Sequence, residues 1–402
     1  MDRLLQLRSE VYQELTGNIL PFSMQAVTDW EHGGFYGHVS NDRTVRSQAP
    51  KGLIQHARML WTFAHAARIL GDAAYRRFAE HALEALELFW DDPNGGFFWL
   101  IDDRGCPLRR EKLTYGQAFA IYALAESSRA GIGAHSQPRA VEVYDLLDQH
   151  CWDREQGGYW EGCQADWALA PGLCVDETSL PVAKGMNSHL HLLEAYSGLL
   201  RIWEDARLRA SLRSLIEIMM DRVPNGETCH LGLFLDQEWR SLSDRVSYGH
   251  DIEASWLLVE AAEVLGAPEL LSRAREAALR LANVTLQEGV DDDGGLFDQG
   301  DTAGVTERTK YWWPQAEAIV GFLNAYQLSG ERRFVEASLA SWRFVSENLI
   351  DREHGDWFNS ASEADRTPEA QKAGPWKTPY HNARACLEVM RRVDELTARQ
   401  RG

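Results

Sequence analysis

The segment Pro93-Asn94-Gly95-Gly96-Phe97-Phe98-Trp99 joins a polar turn and a glycine pair to a run of aromatic residues. Related segments occur six times, and their first glycines lie at positions 33, 95, 157, 232, 294 and 355. The intervals between them are therefore 62, 62, 75, 62 and 61 residues. Regular spacing of this kind indicates a repeat of about 62 residues that runs through the chain, with one insertion around residues 165–186.

Between these turns, apolar residues recur three and four positions apart, which is the spacing of amphipathic helices. Most repeats contain two such stretches. The predicted helices span residues 53–70, 75–90, 115–130, 141–147, 189–202, 208–220, 252–265, 270–286, 315–328, 334–349 and 382–396.

Six helix pairs joined by similar turns can stack in an open line or close into a ring. The end repeats of an open stack differ from the middle ones because they cap the core, but the first and last turns here resemble the others. We therefore predict an all-α fold, an (α/α)6 barrel of six helix pairs with short β-hairpin turns at one rim. No linker interrupts the chain, so residues 1–402 are expected to form a single catalytic domain.

The charge balance disfavours several kinds of partner. The chain has 41 Lys and Arg residues against 60 Asp and Glu residues, which gives a formal net charge of −19. A protein this acidic repels phosphate backbones and anionic lipids unless a basic stripe is present, and the sequence shows no such stripe. We expect no nucleic-acid or membrane partner, and a monomer or weak homodimer.

The cysteines and the N-terminal residues bear on the compartment. Six cysteines are scattered without the spacing of a zinc site or of a disulfide framework. The first residues alternate charge and leucine instead of forming the apolar core of a secretion signal. We expect free thiols, no metal, no cofactor and a cytoplasmic protein.

In a ring of helices, the ends of the inner helices surround one mouth, so candidate site residues are polar residues near predicted helix starts. Arg58 lies among core-type residues, where it either holds an oxygen that develops negative charge or takes part in a structural ion pair. His189 and His191 are two positions apart and cannot share a helix face. This spacing does not favour a metal pair, and one of the two is expected to face inward.

Two further helix starts carry histidines. His250 and Glu253 are three residues apart, so the carboxylate can reach the imidazole and set its tautomer. The alternative is a capping interaction. His381 begins the last predicted helix, directly after a turn that contains a proline. Another predicted helix begins near Trp313 and Glu317, which add an indole and a carboxylate.

The ring brings these starts to one cavity. Indole faces and directional polar groups suit sugars, which present both C–H faces and hydroxyls. Two histidines near one carbon suit proton abstraction and return at neutral pH. The cavity therefore indicates a small carbohydrate as substrate.

At these segments the sequence resembles the acylglucosamine 2-epimerase superfamily, and within it the cellobiose 2-epimerase family. The match extends from end to end, through residues 33–37, 57–63, 115–122, 187–196, 249–258, 312–317 and 380–387. The superfamily has the (α/α)6 barrel that the repeat spacing favours.

The resemblance implies specific roles and a sugar 2-epimerase, an isomerase that interconverts glucose and mannose at the reducing end of β-1,4-linked disaccharides. His250 and His381 remove and return the C2 proton through a cis-enediolate, whose oxyanion Arg58 holds. The remaining roles are ring opening by His191, orientation of His250 by Glu253, hydroxyl contacts from Tyr115, Asn187 and Glu317, and stacking of the two sugar rings on Trp313 and Trp376.

Other functions stay open at this point. A mannose 2-epimerase or a mannose/fructose isomerase of the same superfamily would use the same enediolate. A glycoside hydrolase on the same barrel would need two carboxylates across the bond, for which Glu253 and Glu317 are candidates. A non-catalytic sugar-binding protein would explain the aromatic residues but not the histidines.

Overall fold

The computed structural model describes residues 1–175, 178–226 and 228–401. Twelve long helices account for most of this part of the chain. They are α1 (Asp2–Glu14), α2 (Leu53–Leu70), α3 (Ala73–Glu87), α4 (Thr114–Arg129), α5 (Ser136–His150), α6 (Met186–Leu200), α7 (Ala206–Asp221), α8 (Tyr248–Leu265), α9 (Pro268–Val284), α10 (Trp312–Ser329), α11 (Arg332–Asn348) and α12 (Tyr380–Arg401). Short helical segments extend α1 (Leu15–Ile19, Leu20–Phe22 and Ser23–Val27) and α9 (Thr285–Gly289). A further short helical turn spans Ala364–Arg366.

The helices form two concentric rings, so the predicted (α/α)6 barrel is confirmed. Each even-numbered helix contacts the next one, and α12 contacts α2, which closes an inner ring of six. The odd-numbered helices pack outside their partners. Helices such as α9 are buried along one face only, whereas the first half of α8 is buried almost all round, as expected for outer and inner layers.

Short strands hold one rim together, as predicted for the glycine-aromatic turns. The strands are β1 (Val39–Ser40), β2 (Lys51–Gly52), β3 (Leu100–Ile101), β4 (Pro107–Arg109), β5 (Lys112–Leu113), β6 (Gly162–Cys163), β7 (Lys184–Gly185), β8 (Phe234–Leu235), β9 (Val246–Ser247), β10 (Gln299–Asp301), β11 (Gly304–Glu307) and β12 (Gln371–Ala373). They pair antiparallel, with the order β1–β12, β2–β3–β4, β5–β6, β7–β8 and β9–β10–β11. Pairing of β12 with β1 joins the last repeat to the first.

Two recurring contacts fix each inner helix to its turn. A lysine before the inner helix pairs with an aspartate of the turn at 2.5–2.9 Å in Asp29–Lys51, Asp91–Lys112, Asp153–Lys184, Asp291–Lys310 and Asp351–Lys372. The fourth residue of the helix accepts a hydrogen bond from a backbone N–H of the turn at 2.6–3.1 Å, in His56, Gln117, His189, Asp251 and Gln315. Because buried N–H groups need acceptors, these contacts set a common depth for the inner helices.

The N-terminal helix α1 is absent from the sequence prediction, which gave eleven helices where six pairs need twelve. Its buried face, Leu4, Leu7 and Val11, has helical spacing but lies in a strongly charged segment. It packs against α12 and supplies the sixth outer helix. The insertion at 165–186 is irregular where it is described, and residues 176 and 177 lie outside the described part of the chain. In that part, no helix is both long and apolar enough to span a bilayer.

Candidate active site

The shared depth of the inner helices arranges their inward residues in layers. The second and sixth residues of a helix lie four apart and therefore on the same face. The second residues are Ile54, Tyr115, Asn187, Gly249, Trp313 and His381. The sixth residues of α2, α4, α6, α8 and α10 are Arg58, Phe119, His191, Glu253 and Glu317. The candidate residues thus form an outer aromatic and polar layer above an inner charged layer.

A cavity of about 410 Å³ opens at the strand-bearing rim, above these layers. Its lining includes Asn187, His250, Trp313 and Trp376. The indole of Trp313 lies against Gly249, where an added Cβ would come within 2.6 Å of the ring. Glycine at this position therefore allows Trp313 to form one wall of the cavity.

Arg58 lies below this wall with its guanidinium buried among aromatic rings. Its Nη2 donates to the Tyr115 hydroxyl at 2.9 Å and its Nη1 to the Trp376 carbonyl at 3.2 Å. The guanidinium carbon is 4.5 Å from the centre of the Phe119 ring. Within the described residues no carboxylate lies within 4 Å of Arg58, so the structural ion pair considered from the sequence is not formed.

His191 and His189 face different parts of the structure. His189 Nε2 accepts from the Tyr159 backbone, which makes it one of the turn-fixing residues. The His191 ring packs edge-on against Tyr115, with Nδ1 3.0 Å from Glu194 Oε2. His191 is therefore the inward-facing histidine, and Glu194 fixes its orientation.

His250 is oriented by a hydroxyl and an indole. Its Nδ1 lies 2.8 Å from Ser247 Oγ, and its ring centre is 4.7 Å from that of Trp313. The predicted contact with Glu253 is wrong: the carboxylate instead accepts from Arg384 Nη2 at 2.5 Å. His250 is the third residue of α8 and Glu253 the sixth, and only the latter belongs to the inner charged layer.

His381 has a carboxylate partner of the kind that was predicted for His250, but that partner is Glu317. Its Nδ1 lies 2.7 Å from Glu317 Oε1, and its ring centre is 5.6 Å from that of Trp313. Glu317 Oε2 accepts from Trp256 Nε1 at 3.0 Å. Both Glu317 oxygens are thus engaged within the protein. Glu317 is thus placed to orient His381, and its predicted contact with a substrate hydroxyl stays a prediction.

Arg384, which sequence reasoning did not select, joins three buried carboxylates. Its Nη2 donates to Glu253 and to Glu317 at 2.5 and 2.7 Å, and its Nη1 contacts Glu194 and the Tyr380 hydroxyl. Through Glu194 and Glu317 the guanidinium connects the partners of His191 and His381. We call Arg384 with these three glutamates the carboxylate cluster.

The buried charges shift several pKa values. Burial, with a smaller contribution from Arg58, lowers the pKa of both His250 and His381 to about 3, so each imidazole is a neutral base at neutral pH. The pKa of Glu253 is raised to about 8 by burial and by Glu317. Burial also raises the pKa of Glu317, but Arg384 and His381 outweigh it and bring the value to about 2. At neutral pH the cluster therefore holds a proton on Glu253.

The same cluster has the donor set of a cation site. Ligand atoms of Glu253, Glu317 and His381 lie within 4.8 Å of one another. The two Oε1 atoms of the glutamates, however, both accept from Arg384 Nη2. The guanidinium thus supplies the positive charge that a metal ion would bring to these oxygens.

The remaining predicted contacts lie around the cavity. Tyr115 is committed through its hydroxyl to Arg58. Asn187 Oδ1 is buried with no hydrogen-bond partner among the described residues, so it offers a free acceptor at the cavity wall. Trp376 is 45% exposed, lies about 6 Å from the Trp99 and Tyr115 rings, and stands at the cavity mouth.

The fold and the cavity together define a class of protein, the (α/α)6 barrels with a cavity at the N-terminal ends of the inner helices. The model of the N-acylglucosamine 2-epimerase family matches residues 34–385. The cellobiose 2-epimerase of Bacteroides fragilis is 38% identical over 393 residues, covering 97% of this chain and all of the relative.

Solved structures agree with the family match. The cellobiose 2-epimerase of Bacillus thermoamylovorans superimposes with a TM-score of 0.92 at 36% identity, covering 96% of this chain and 99% of that structure. That of Spirochaeta thermophila gives 0.89 at 40% identity, covering 98% of both chains. The chain belongs to the N-acylglucosamine 2-epimerase family, and it is a carbohydrate epimerase, an isomerase.

Proposed function

We propose that the protein inverts C2 of the reducing-end sugar of a β-1,4-linked disaccharide, converting cellobiose to glucosyl-mannose. The observation that carries the proposal is the placement of histidines around one guanidinium that has no carboxylate partner among the described residues. Arg58 Nη2 bonds to Tyr115, whose ring packs edge-on against His191, and the Arg58 guanidinium lies 5.1 Å from the centre of the Tyr380 ring, which packs against His381. Its charge contributes to the lowered pKa of His191, His250 and His381. A fixed positive charge beside bases is the arrangement that stabilises an oxyanion as it forms.

The proposed reaction begins with ring opening. His191, held by Glu194, moves the proton between the anomeric hydroxyl and the ring oxygen. The open sugar has a carbonyl beside C2, so removal of the C2 proton leaves a cis-enediolate. Arg58 holds its oxygen, and the N-termini of the inner helices add partial positive charge on the same side.

His250 and His381 flank Trp313 and are the proposed bases. One imidazole takes the C2 proton, and the other returns a proton to the opposite face, which inverts the carbon. Because both imidazoles are neutral in the free site, a returned proton must be replaced from the carboxylate cluster. In the direction in which His381 returns the proton, Nε2 gives its proton to C2 while Nδ1 takes one from Glu253, whose Oε1 is 4.0 Å away. The other imidazole then releases the proton that it took from C2, and Glu253 is reprotonated, so each turnover leaves the number of bound protons unchanged.

This role of Glu253 predicts an alkaline limit to activity. A carboxyl with a pKa of about 8 is protonated below that pH and ionised above it. We expect kcat to fall about tenfold per pH unit above pH 8 as the stored proton is lost. A Glu253→Gln variant should have low kcat without this fall, as measured by a pH profile from 6 to 10. An unchanged alkaline limb in Glu253→Gln would contradict the assignment.

Stacking on Trp376 is proposed to favour disaccharides. The indole lines the cavity and is half exposed, and we propose that the second sugar ring stacks on it there. In a Trp376→Ala variant we expect KM for cellobiose to rise about tenfold, from loss of about 1–2 kcal/mol of aromatic contact, while KM for mannose changes little. Steady-state kinetics with both sugars measures the difference, and equal changes would argue against a second ring at this position.

The hydrolase alternative fits the site poorly. It requires two carboxylates free to act on either side of the glycosidic bond. Glu253 and Glu317 share one guanidinium nitrogen, and Glu317 has both oxygens engaged. Hydrolysis by two carboxylates would also leave the histidines of the site without a role.

Product analysis tests the proposal directly. Purified protein is incubated with cellobiose, and with mannose in parallel, and the products are followed by NMR. Glucosyl-mannose from cellobiose supports the proposal. Glucose from mannose alone would indicate a monosaccharide epimerase, fructose an isomerase, and free glucose from cellobiose a hydrolase.

Other sequence expectations remain proposals. We propose one catalytic domain over residues 1–402, acting in the cytoplasm as a monomer or weak homodimer and without nucleic acid or a cofactor. The closed inner ring supports the first, and the net charge of −19 supports the absence of nucleic-acid binding.

A further inference from the structure

A small chamber lies behind the carboxylate cluster, on the side away from the cavity mouth. It has a volume of about 40 Å³ and is lined by Glu194 and Arg384 together with Trp61, Tyr122 and Ser197. A buried site holds a water if it offers about 10–15 Å³ and two or more polar partners. The chamber therefore has room for about two or three waters.

Two buried donors line this chamber without a protein partner. Arg384 Nε and Trp61 Nε1 belong to side chains that are 1% and 3% exposed, and neither has a hydrogen-bond partner among the described residues. Buried N–H groups are satisfied by protein or by ordered water, because an unmade bond costs about 1–3 kcal/mol. Water in the chamber would satisfy both.

The chamber continues toward solvent at the opposite end of the barrel. There, a cavity of about 1150 Å³ lies where the inner helices end. Five residues line both spaces, namely His65, Arg129, Arg201, Glu260 and Glu388. These side chains form polar walls from the rear cavity to Glu194. The chamber and these charged side chains thus form a polar route from the rear cavity to the catalytic layer.

We propose that this rear route exchanges protons between solvent and the His191–Glu194 pair while the sugar closes the mouth. The proposal rests on the proposed epimerisation, in which His191 serves ring opening. When His191 Nε2 takes the proton of the anomeric hydroxyl, Nδ1 releases its proton to Glu194 Oε2, 3.0 Å away. Glu194 passes it to chamber water, and the rear cavity delivers it to solvent. Reversal of these transfers supplies the proton for the ring oxygen, so no charge accumulates.

Filling the chamber tests the proposal. Ser197 lines it, and its hydroxyl donates to the Leu193 carbonyl of the same helix. A Ser197→Val variant adds bulk to the chamber, whereas Ser197→Ala removes the same hydroxyl and leaves the space open. For Ser197→Val we expect kcat to fall about tenfold, or about 1.4 kcal/mol in activation free energy, with KM unchanged and a larger solvent deuterium isotope effect. Ser197→Ala should behave as wild type.

Anomer exchange of cellobiose, followed by NMR, reports ring opening independently of C2 chemistry, and it should slow in parallel. A folded Ser197→Val variant with wild-type kcat, anomer exchange and isotope effect would overturn the proposal. If that variant does not fold, Gly198→Ala is the substitute, since its Cβ would lie 3.0 Å from Tyr122 Cδ2 and press that ring toward the chamber.

A crystal structure of the wild type at high resolution should also show water bonded to Arg384 Nε and Trp61 Nε1, and a dry chamber would overturn the proposal. Failure of the proposed function is distinguishable in the same assays. In that case the wild type itself would leave C2 of cellobiose unchanged, whatever the Ser197 variants do.

Discussion

Replacement of either His250 or His381 by asparagine is expected to lower kcat by about a hundred- to ten-thousandfold, the range that a positioned general acid or base contributes. In the proposed mechanism each imidazole serves one face of C2, so the loss of either one stops the inversion. Neither change should unfold the protein. His250 contacts Ser247 and Trp313, and His381 loses only its bonds with Glu317 and its ring contacts.

The measurement is steady-state kinetics with cellobiose, with thermal unfolding of each variant alongside. His135→Asn is the matched control, because this histidine is exposed on the outer ring. It should retain wild-type activity. A fully active His250→Asn or His381→Asn variant would refute the two-base mechanism.

Replacement of Arg384 by methionine is expected to have the largest effect on stability. Methionine keeps much of the side-chain length but leaves Glu194, Glu253 and Glu317 buried around no positive charge. Loss of one partner from a buried ion pair costs about 3–5 kcal/mol in the free energy of unfolding. Because the remaining carboxylates bind protons more readily without the guanidinium, the loss should be smaller at pH 5 than at pH 8.

Denaturant unfolding at the two pH values measures this effect. Arg391 provides the control on the same helix: it is about half exposed and pairs with the exposed Glu395 and with Glu388, which keeps Arg392 as a second partner. Arg391→Met should change stability by about 1 kcal/mol or less. If Arg384→Met is as stable as Arg391→Met at pH 8, the carboxylate cluster does not depend on Arg384 for its charge balance.

The ring could be predicted from the sequence because its signals are local and repeated. The 62-residue spacing, the helical periodicity and the glycine-aromatic turns recur often enough to support one another. The exception is α1, whose apolar positions are few and lie among charges. Its place in the fold depends on packing against α12, more than 360 residues away in the chain, which no local pattern records.

The carboxylate partners in the site could not be predicted in the same way. Spacing along one helix paired His250 with Glu253, but the closed ring brings Glu317 of α10 to His381 of α12 instead. Arg384 reaches carboxylates on three other helices. One local signal was available. Glu194 follows His191 by three residues, the same spacing from which the contact between Glu253 and His250 was predicted. In the case of His191 and Glu194 the two side chains are in contact.

The central claim is that two histidines act on opposite faces of C2, and one-sided exchange in D2O tests it most directly. Asparagine variants of His250 and His381 are each incubated with cellobiose and with glucosyl-mannose, and deuterium at C2 is followed by NMR. The account predicts complementary behaviour, in which one variant exchanges only the glucose epimer, the other only the mannose epimer, and neither interconverts them. Exchange of the same epimer by both variants, or continued epimerisation by either, would contradict it.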